Sequence, residues 1–148
     1  MGLKFGKVLH LGIVVRDLEK AVKIYEEELG IGPWKIESAS PFFDDKLVND
    51  GVGLNIRTAI FRGDGYEIEL CTPTGPGVFK DWLDQHGPSL HHVKLESDAA
   101  YEEVVGMAER TSGRKTYLDV RWPDGKPLVA YADLLEETGL LLEIGADQ

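Results

Sequence analysis

A strand, a helix and three more strands are legible in residues 8–73, and the same order returns in residues 89–146. The first copy opens on an apolar run at 8–15, broken only by His10 and Gly12. Its length and β-branched content favour a buried strand. Asp17 follows as a helix N-cap ahead of Leu18, Ala21, Val22, Tyr25 and Leu29 at helical spacing. Gly30 then stands at the C′ position, where a left-handed backbone is needed. Residues 34–38, 54–61 and 66–72 read as strands, the last two joined by the turn Arg62-Gly63-Asp64-Gly65. The second copy runs from a strand at 90–97 through the N-cap Asp98 to a helix at 99–111 that Gly113 stops. Strands at 115–120, 127–132 and 139–145 complete it.

Neither copy can bury both faces of its sheet alone, so the two are expected to share a core. The expected fold class is α+β: two βαβββ modules pairing into a curved, open sheet. The 148 residues suit a single domain, with module one at about 8–73, a connector at 74–88 and module two at about 89–146. The connector carries a short amphipathic segment, Val78–His86, and residues 39–53 form a polar loop around Pro41-Phe42-Phe43. Asp plus Glu number 26 against 16 Lys plus Arg, a net charge of −10, and no basic run offsets it. Such a chain is repelled by phosphate backbones, which argues against nucleic acid as a partner. The single cysteine, Cys71, excludes a disulfide framework and a zinc ribbon. No stretch approaches the ~18 apolar residues of a membrane span. Met1 to Lys7 shows no signal-peptide pattern, and Gly6 stands where a myristoylation signal needs Ser or Thr. A cytoplasmic, membrane-free protein is expected.

Four polar residues interrupt the apolar strands at corresponding places. His10 and His92 sit in the first strand of each module, and Glu69 and Glu143 sit in the last. A pseudo-twofold axis would bring both His/Glu pairs to the mouth of the curved sheet. Two imidazoles and two carboxylates suit one divalent transition metal (Co, Ni, Zn, Mn or Fe) better than Mg or Ca. Each residue also has a plainer reading. His10, between Leu9 and Leu11, reads equally as a hydrogen-bonded core histidine, and alternation alone could put Glu69 on a solvated face with Glu67. Glu143 interrupts Leu140-Leu141-Leu142-Glu143-Ile144, where a carboxylate is costly unless paired or metal-bound. Adjacent strand residues face opposite ways, so His91 is expected to point away from the metal if His92 points toward it.

The run His10-Leu11-Gly12-Ile13-Val14-Val15-Arg16-Asp17-Leu18, with Tyr25 and Leu29-Gly30, resembles the opening of vicinal oxygen chelate proteins. So do Ile68-Glu69-Leu70, Leu90-His91-His92-Val93 and Leu142-Glu143-Ile144. This superfamily gathers glyoxalases, bleomycin resistance proteins and dioxygenases, and the likeness extends from about Val8 to Ile144. Within it, Ile68-Glu69-Leu70-Cys71-Thr72-Pro73, Phe79-Lys80-Asp81-Trp82-Leu83 and Leu90-His91-His92-Val93 are most similar to methylmalonyl-CoA epimerases. The resemblance implies paired βαβββ modules around a metal held by His10, Glu69, His92 and Glu143. It implies an isomerase or epimerase moving a proton beside a carbonyl, with Glu143 as acid/base and Glu69 as its partner. The small-molecule substrate would be an acyl-CoA or, for a glyoxalase I-like lactoylglutathione lyase, a hemithioacetal. A homodimer is implied by resemblance alone.

Two departures stand out. Some epimerases carry a catalytic glutamate in the third strand, where this chain has Arg57, a residue that could grip a substrate carboxylate or be a solvated strand residue. Many glyoxalases have an Asp-Pro-Asp-Gly turn before the last strand, where this chain has Asp133-Leu134-Leu135-Glu136-Glu137-Thr138-Gly139. An Fe(II) extradiol-type dioxygenase would need only two His and one carboxylate, leaving Glu69 a non-ligand. A metal-free drug-binding protein would need none of the four. Trp34, Trp82 and Trp122 read as core aromatics or as the lining of a substrate mouth; Lys80, Arg114 and Lys115 read as surface cations or as contacts for CoA phosphates. Asp44-Asp45 reads as solvated loop and Phe42-Phe43 as a lid or dimer contact.

Overall fold

The structure, a computed structural model, describes residues 3–37 and 54–146, with eight strands and four helices among them. The loop expected at 39–53, with Phe42-Phe43 and Asp44-Asp45, lies outside the described residues. Two compact units are present, and the divisions between them fall after Leu9 and after His91. One holds residues 10–37 and 54–91, the other 3–9 and 92–146.

The first unit is built from β1 (Val8–Val14, of which it holds His10 onward), α1 (Leu18–Glu27), β2 (Lys35–Glu37), β3 (Ile56–Arg62), β4 (Glu67–Pro73) and α2 (Val78–His86). Its strands lie in the order β2-β3-β4-β1, with β1 parallel to β4 and the other pairs antiparallel. Asp17 caps α1, accepting from the Lys20 backbone N–H at 3.0 Å. Leu18 and Val22 of α1 cluster with Ala59, Ile68 and Leu70, and Tyr25, Trp34 and Phe61 pack around them. The β3–β4 hairpin closes through the Gly63 N–H and the Tyr66 carbonyl at 2.8 Å, with Gly65 at a φ of 80° that L side chains rarely adopt. The helix is shorter than its apolar spacing suggests. It ends at Glu27, so Leu29 falls beyond it and is 59% exposed, and Gly30 turns left-handed two residues after the cap Glu28.

The second unit is built from β5 (Ser89–Leu95, of which it holds His92 onward), α3 (Tyr101–Ser112), β6 (Leu118–Arg121), β7 (Pro127–Leu134), α4 (Leu135–Thr138) and β8 (Leu140–Gly145). Its strands lie in the order β5-β8-β7-β6, with β5 parallel to β8. Gly113 ends α3 in the left-handed region, as expected. Asp98 is not the N-cap; Ala100 is. The Ser97 hydroxyl accepts from the Ala99 N–H at 3.0 Å, and this local turn delays the helix to Tyr101. The departure noted at 133–139 is α4, a single turn started by the Asp133 carboxylate accepting from the Leu135 N–H at 3.0 Å. No helix among the described residues is long and apolar enough to cross a membrane. The whole is α+β, with one strand–helix–three-strand motif in each unit.

Candidate metal centre

Register decides which residues share a face. In the first unit Gly12 of β1 lies opposite Glu69 of β4, and His10 opposite Glu67. Side chains alternate along a strand and register partners face the same way. His10, Gly12, Glu67, Glu69 and Cys71 therefore share one face, and Leu11, Ile13, Ile68 and Leu70 share the other, against α1. On the first face His10 Nε2 lies 3.5 Å from Glu69 Oε1, with both residues buried. The buried Cys71 thiol donates to the same carboxylate oxygen, Sγ to Oε1 3.4 Å. Glu67 shares the face but pairs with Arg62 at 3.4 Å, its side chain 39% exposed. The solvated-face alternative describes Glu67 and not Glu69.

The second unit repeats the arrangement at the same offset. Glu143 of β8 lies opposite Lys94 of β5, two residues after His92, as Glu69 lies opposite Gly12, two residues after His10. His92 Nε2 lies 3.9 Å from Glu143 Oε1, and His92 is 1% exposed. Tyr131 lies opposite Glu143 on β7, and its ring centroid is 4.6 Å from that of His92. His91 takes the other face of β5, its ring 4.7 Å from Phe79 and 4.8 Å from Trp82 of α2. It is packed among aromatic rings, as its strand position requires.

Arg57 does not share the face of the His10/Glu69 pair. Its register partner is Thr72, which puts it on the face that carries Ala59 and Leu70 under α1, and it forms an ion pair with Glu19 of that helix. The hydrogen bond from Arg57 holds the Glu19 carboxyl below the usual carboxylate range and raises the guanidinium in turn. Thr58 and Ile60, which alternate with Arg57 and Ala59 along β3, look the same way as Glu69. Trp34 packs between Tyr25 and Phe61 and donates its indole N–H to the Ile31 carbonyl, so it is core. Trp82 packs on His86 and His91; Trp122 is 38% exposed. Lys80 is paired with Asp84, and Arg114 with Asp133 and Glu137. Sequence reasoning missed Cys71, Lys94 and Tyr131 as neighbours of the two pairs. For Cys71 and Lys94 the signal was available, since each stands two residues along the strand from a singled-out Glu or His.

A buried imidazole beside a buried carboxylate is costly to desolvate unless its charges and protons are used. Nitrogen and oxygen donors of this kind are the ligands borderline divalent metals take. The family model of the glyoxalase/bleomycin resistance protein/dioxygenase superfamily matches residues 9–113, and the chain belongs to that superfamily. Several solved structures share the fold. A methylmalonyl-CoA epimerase from Mycobacterium tuberculosis is 22% identical with a TM-score of 0.61, the match covering 93% of this chain and 85% of that one. A methylmalonyl-CoA epimerase in complex with methylmalonyl-CoA and NH4+ is 19% identical with a TM-score of 0.64, covering 95% and 93%. A hypothetical protein from Bacillus halodurans is 17% identical with a TM-score of 0.62, covering 93% and 91%. Comparison with curated protein sequences finds no match.

Proposed function

We propose that this protein is a metal-dependent isomerase that moves a proton at a carbon beside a carbonyl, most like a methylmalonyl-CoA epimerase. The observation that carries the reading is the repeated pair: a buried His and a largely buried Glu at the same register offset in each unit. His10, Glu69, His92 and Glu143 together would hold one divalent ion (Co, Ni, Zn, Mn or Fe). When bound, the ion supplies Lewis acidity at a carbonyl oxygen and so acidifies the neighbouring C–H. Epimerisation needs a proton taken from one face of a carbon and returned to the other. Two carboxylates do this without a diffusing carrier, and Glu143 and Glu69 are assigned these roles. Cys71 orients Glu69 by donating to its Oε1, and the aromatic ring of Tyr131 holds His92 in place.

The fold neighbours support an acyl-CoA as substrate, since one of them is a complex with methylmalonyl-CoA and another, from Streptomyces coelicolor, a complex with 2-nitronate-propionyl-CoA. A glyoxalase I-like lactoylglutathione lyase is the second reading, favoured by the same four ligand types. A cytoplasmic homodimer completes the proposal. Its test is the metal content of untagged protein purified without chelator, beside Glu143→Gln and His92→Ala. About one transition metal per chain is expected, lost in both variants. Deuterium exchange into acyl-CoA thioesters, but not turnover of hemithioacetals, then separates the epimerase from the lyase. No metal in the wild type, and none taken up from Co or Ni, overturns the reading.

A further inference from the structure

The two units match at the His and Glu positions and part company two residues further along the first strand. There β1 carries Gly12 and β5 carries Lys94, each directly opposite the glutamate of its pair. We infer that Lys94 is an anion-binding residue of the candidate metal centre, and that the substrate bears a negative charge beyond the two oxygens a metal would chelate. This rests on the reading of the His/Glu pairs as one metal site and names the class of substrate that site takes.

Three observations carry it. Lys94 lies on the face of β5 that carries His92, not on the Val93 face. It is neither a freely solvated surface lysine nor fully enclosed, being of intermediate burial. Its Nζ comes to 3.4 Å from where a Cβ on Gly145 would stand. Gly145 lies two residues after Glu143, so the ammonium reaches across β8 along the very face that holds the glutamate. A side chain at 145 would crowd that path, whereas the equivalent position of the first unit, two residues after Glu69, is filled by Cys71.

The charge of Lys94 is also available. No salt bridge ties it to a carboxylate among the described residues, although Arg57, Lys80, Arg114 and Arg121 all have such partners. Glu143, its register partner, points its Oε1 toward His92. A chain of net charge −10 repels an anionic substrate at long range. Capture of such a substrate therefore calls for a local cation at the site, and a lysine presents a compact point charge on a flexible stem. A carboxylate or phosphonate attached to the chelated fragment fits that role.

Glycolate and tartronate test this, because both offer the same α-hydroxy acid chelating pair and tartronate adds one carboxylate. Their affinities would be read from the visible spectrum of the Co(II)-loaded protein, for the wild type, Lys94→Met and Lys94→Arg. Tartronate is expected to bind the wild type about tenfold more tightly than glycolate. Lys94→Met should bring the two within about threefold while leaving glycolate affinity and cobalt content as they were, and Lys94→Arg should restore most of the preference. A preference that survives in Lys94→Met overturns the role of Lys94 and leaves the metal site standing. If no cobalt is taken up, the metal reading fails separately. The same two acids are then compared on the metal-free protein by amide chemical shifts, where a tartronate preference lost in Lys94→Met supports the anion site and its absence refutes it.

Discussion

Glu67 and Glu69 stand two residues apart on one strand face, and one is an ordinary surface acid while the other is buried against an imidazole and a thiol. Alternation assigns a face; only the packing above that face assigns a role. The same distinction governs Arg57. Its neighbour in register is Thr72 and its ion-pair partner is Glu19, so it serves the junction of α1 with the sheet. Arg57→Ala is therefore expected to leave bound metal at the wild-type level, as measured by elemental analysis, whereas Glu69→Gln should lower it. The four His and Glu residues were legible in the sequence because a polar group in an apolar strand is expensive and draws attention. Arg57 stayed between two readings because strand register, and hence face, is not written in a single strand. Lys94 was passed over because a lysine in a strand is unremarkable until the residue opposite it is known.

At the level of elements, periodicity and turn chemistry carried most of the fold. α2 spans Val78–His86, as the amphipathic spacing implies, and Gly113 stops α3. What escaped was short or locally decided: α4 has only four residues, too few to show a period, and the Ser97 turn outcompetes Asp98 for the start of α3. Capping has a measurable weight. Asp17→Ala should cost about 1 kcal/mol in urea denaturation, because it removes the acceptor for the Lys20 N–H. The join between α3 and β6 is a network in which the Tyr101 hydroxyl donates to Asp119 at 2.6 Å and Arg121 pairs with Asp119 and Glu102. Burial first, and then that hydrogen bond, push the Tyr101 hydroxyl far above its ordinary value of 10.0. Its contribution is complete below about pH 10 and falls as pH rises further, because the unfolded chain then gives up a proton that the folded chain keeps. Tyr101→Phe should be less stable than the wild type by about 1–2 kcal/mol at pH 7. Denaturation series at rising pH should show that gap narrowing above pH 10.

For the molecule as a whole, the repeat poses a question of stoichiometry. Each unit owns a His/Glu pair of its own, at 3.5 Å in one and 3.9 Å in the other. Two donors are too few for a tight site, since zinc and its neighbours are held by three or four protein ligands. On the proposed reading, one ion using both pairs would satisfy that number. If each pair acted alone, the chain would bind two ions weakly, and losing one histidine would remove one ion. If the pairs act together, binding is all or none: His10→Ala and His92→Ala, which alter different units, should each abolish a single equivalent of metal. The unfolding temperature offers an independent readout. An ion present at a hundred times its dissociation constant adds about 2.7 kcal/mol, or about 5–10 °C for a chain of this size. The wild type should gain that shift when cobalt is added after chelator treatment, and both histidine variants should gain none. A half-sized shift retained in either variant would show two independent sites and dissolve the shared one.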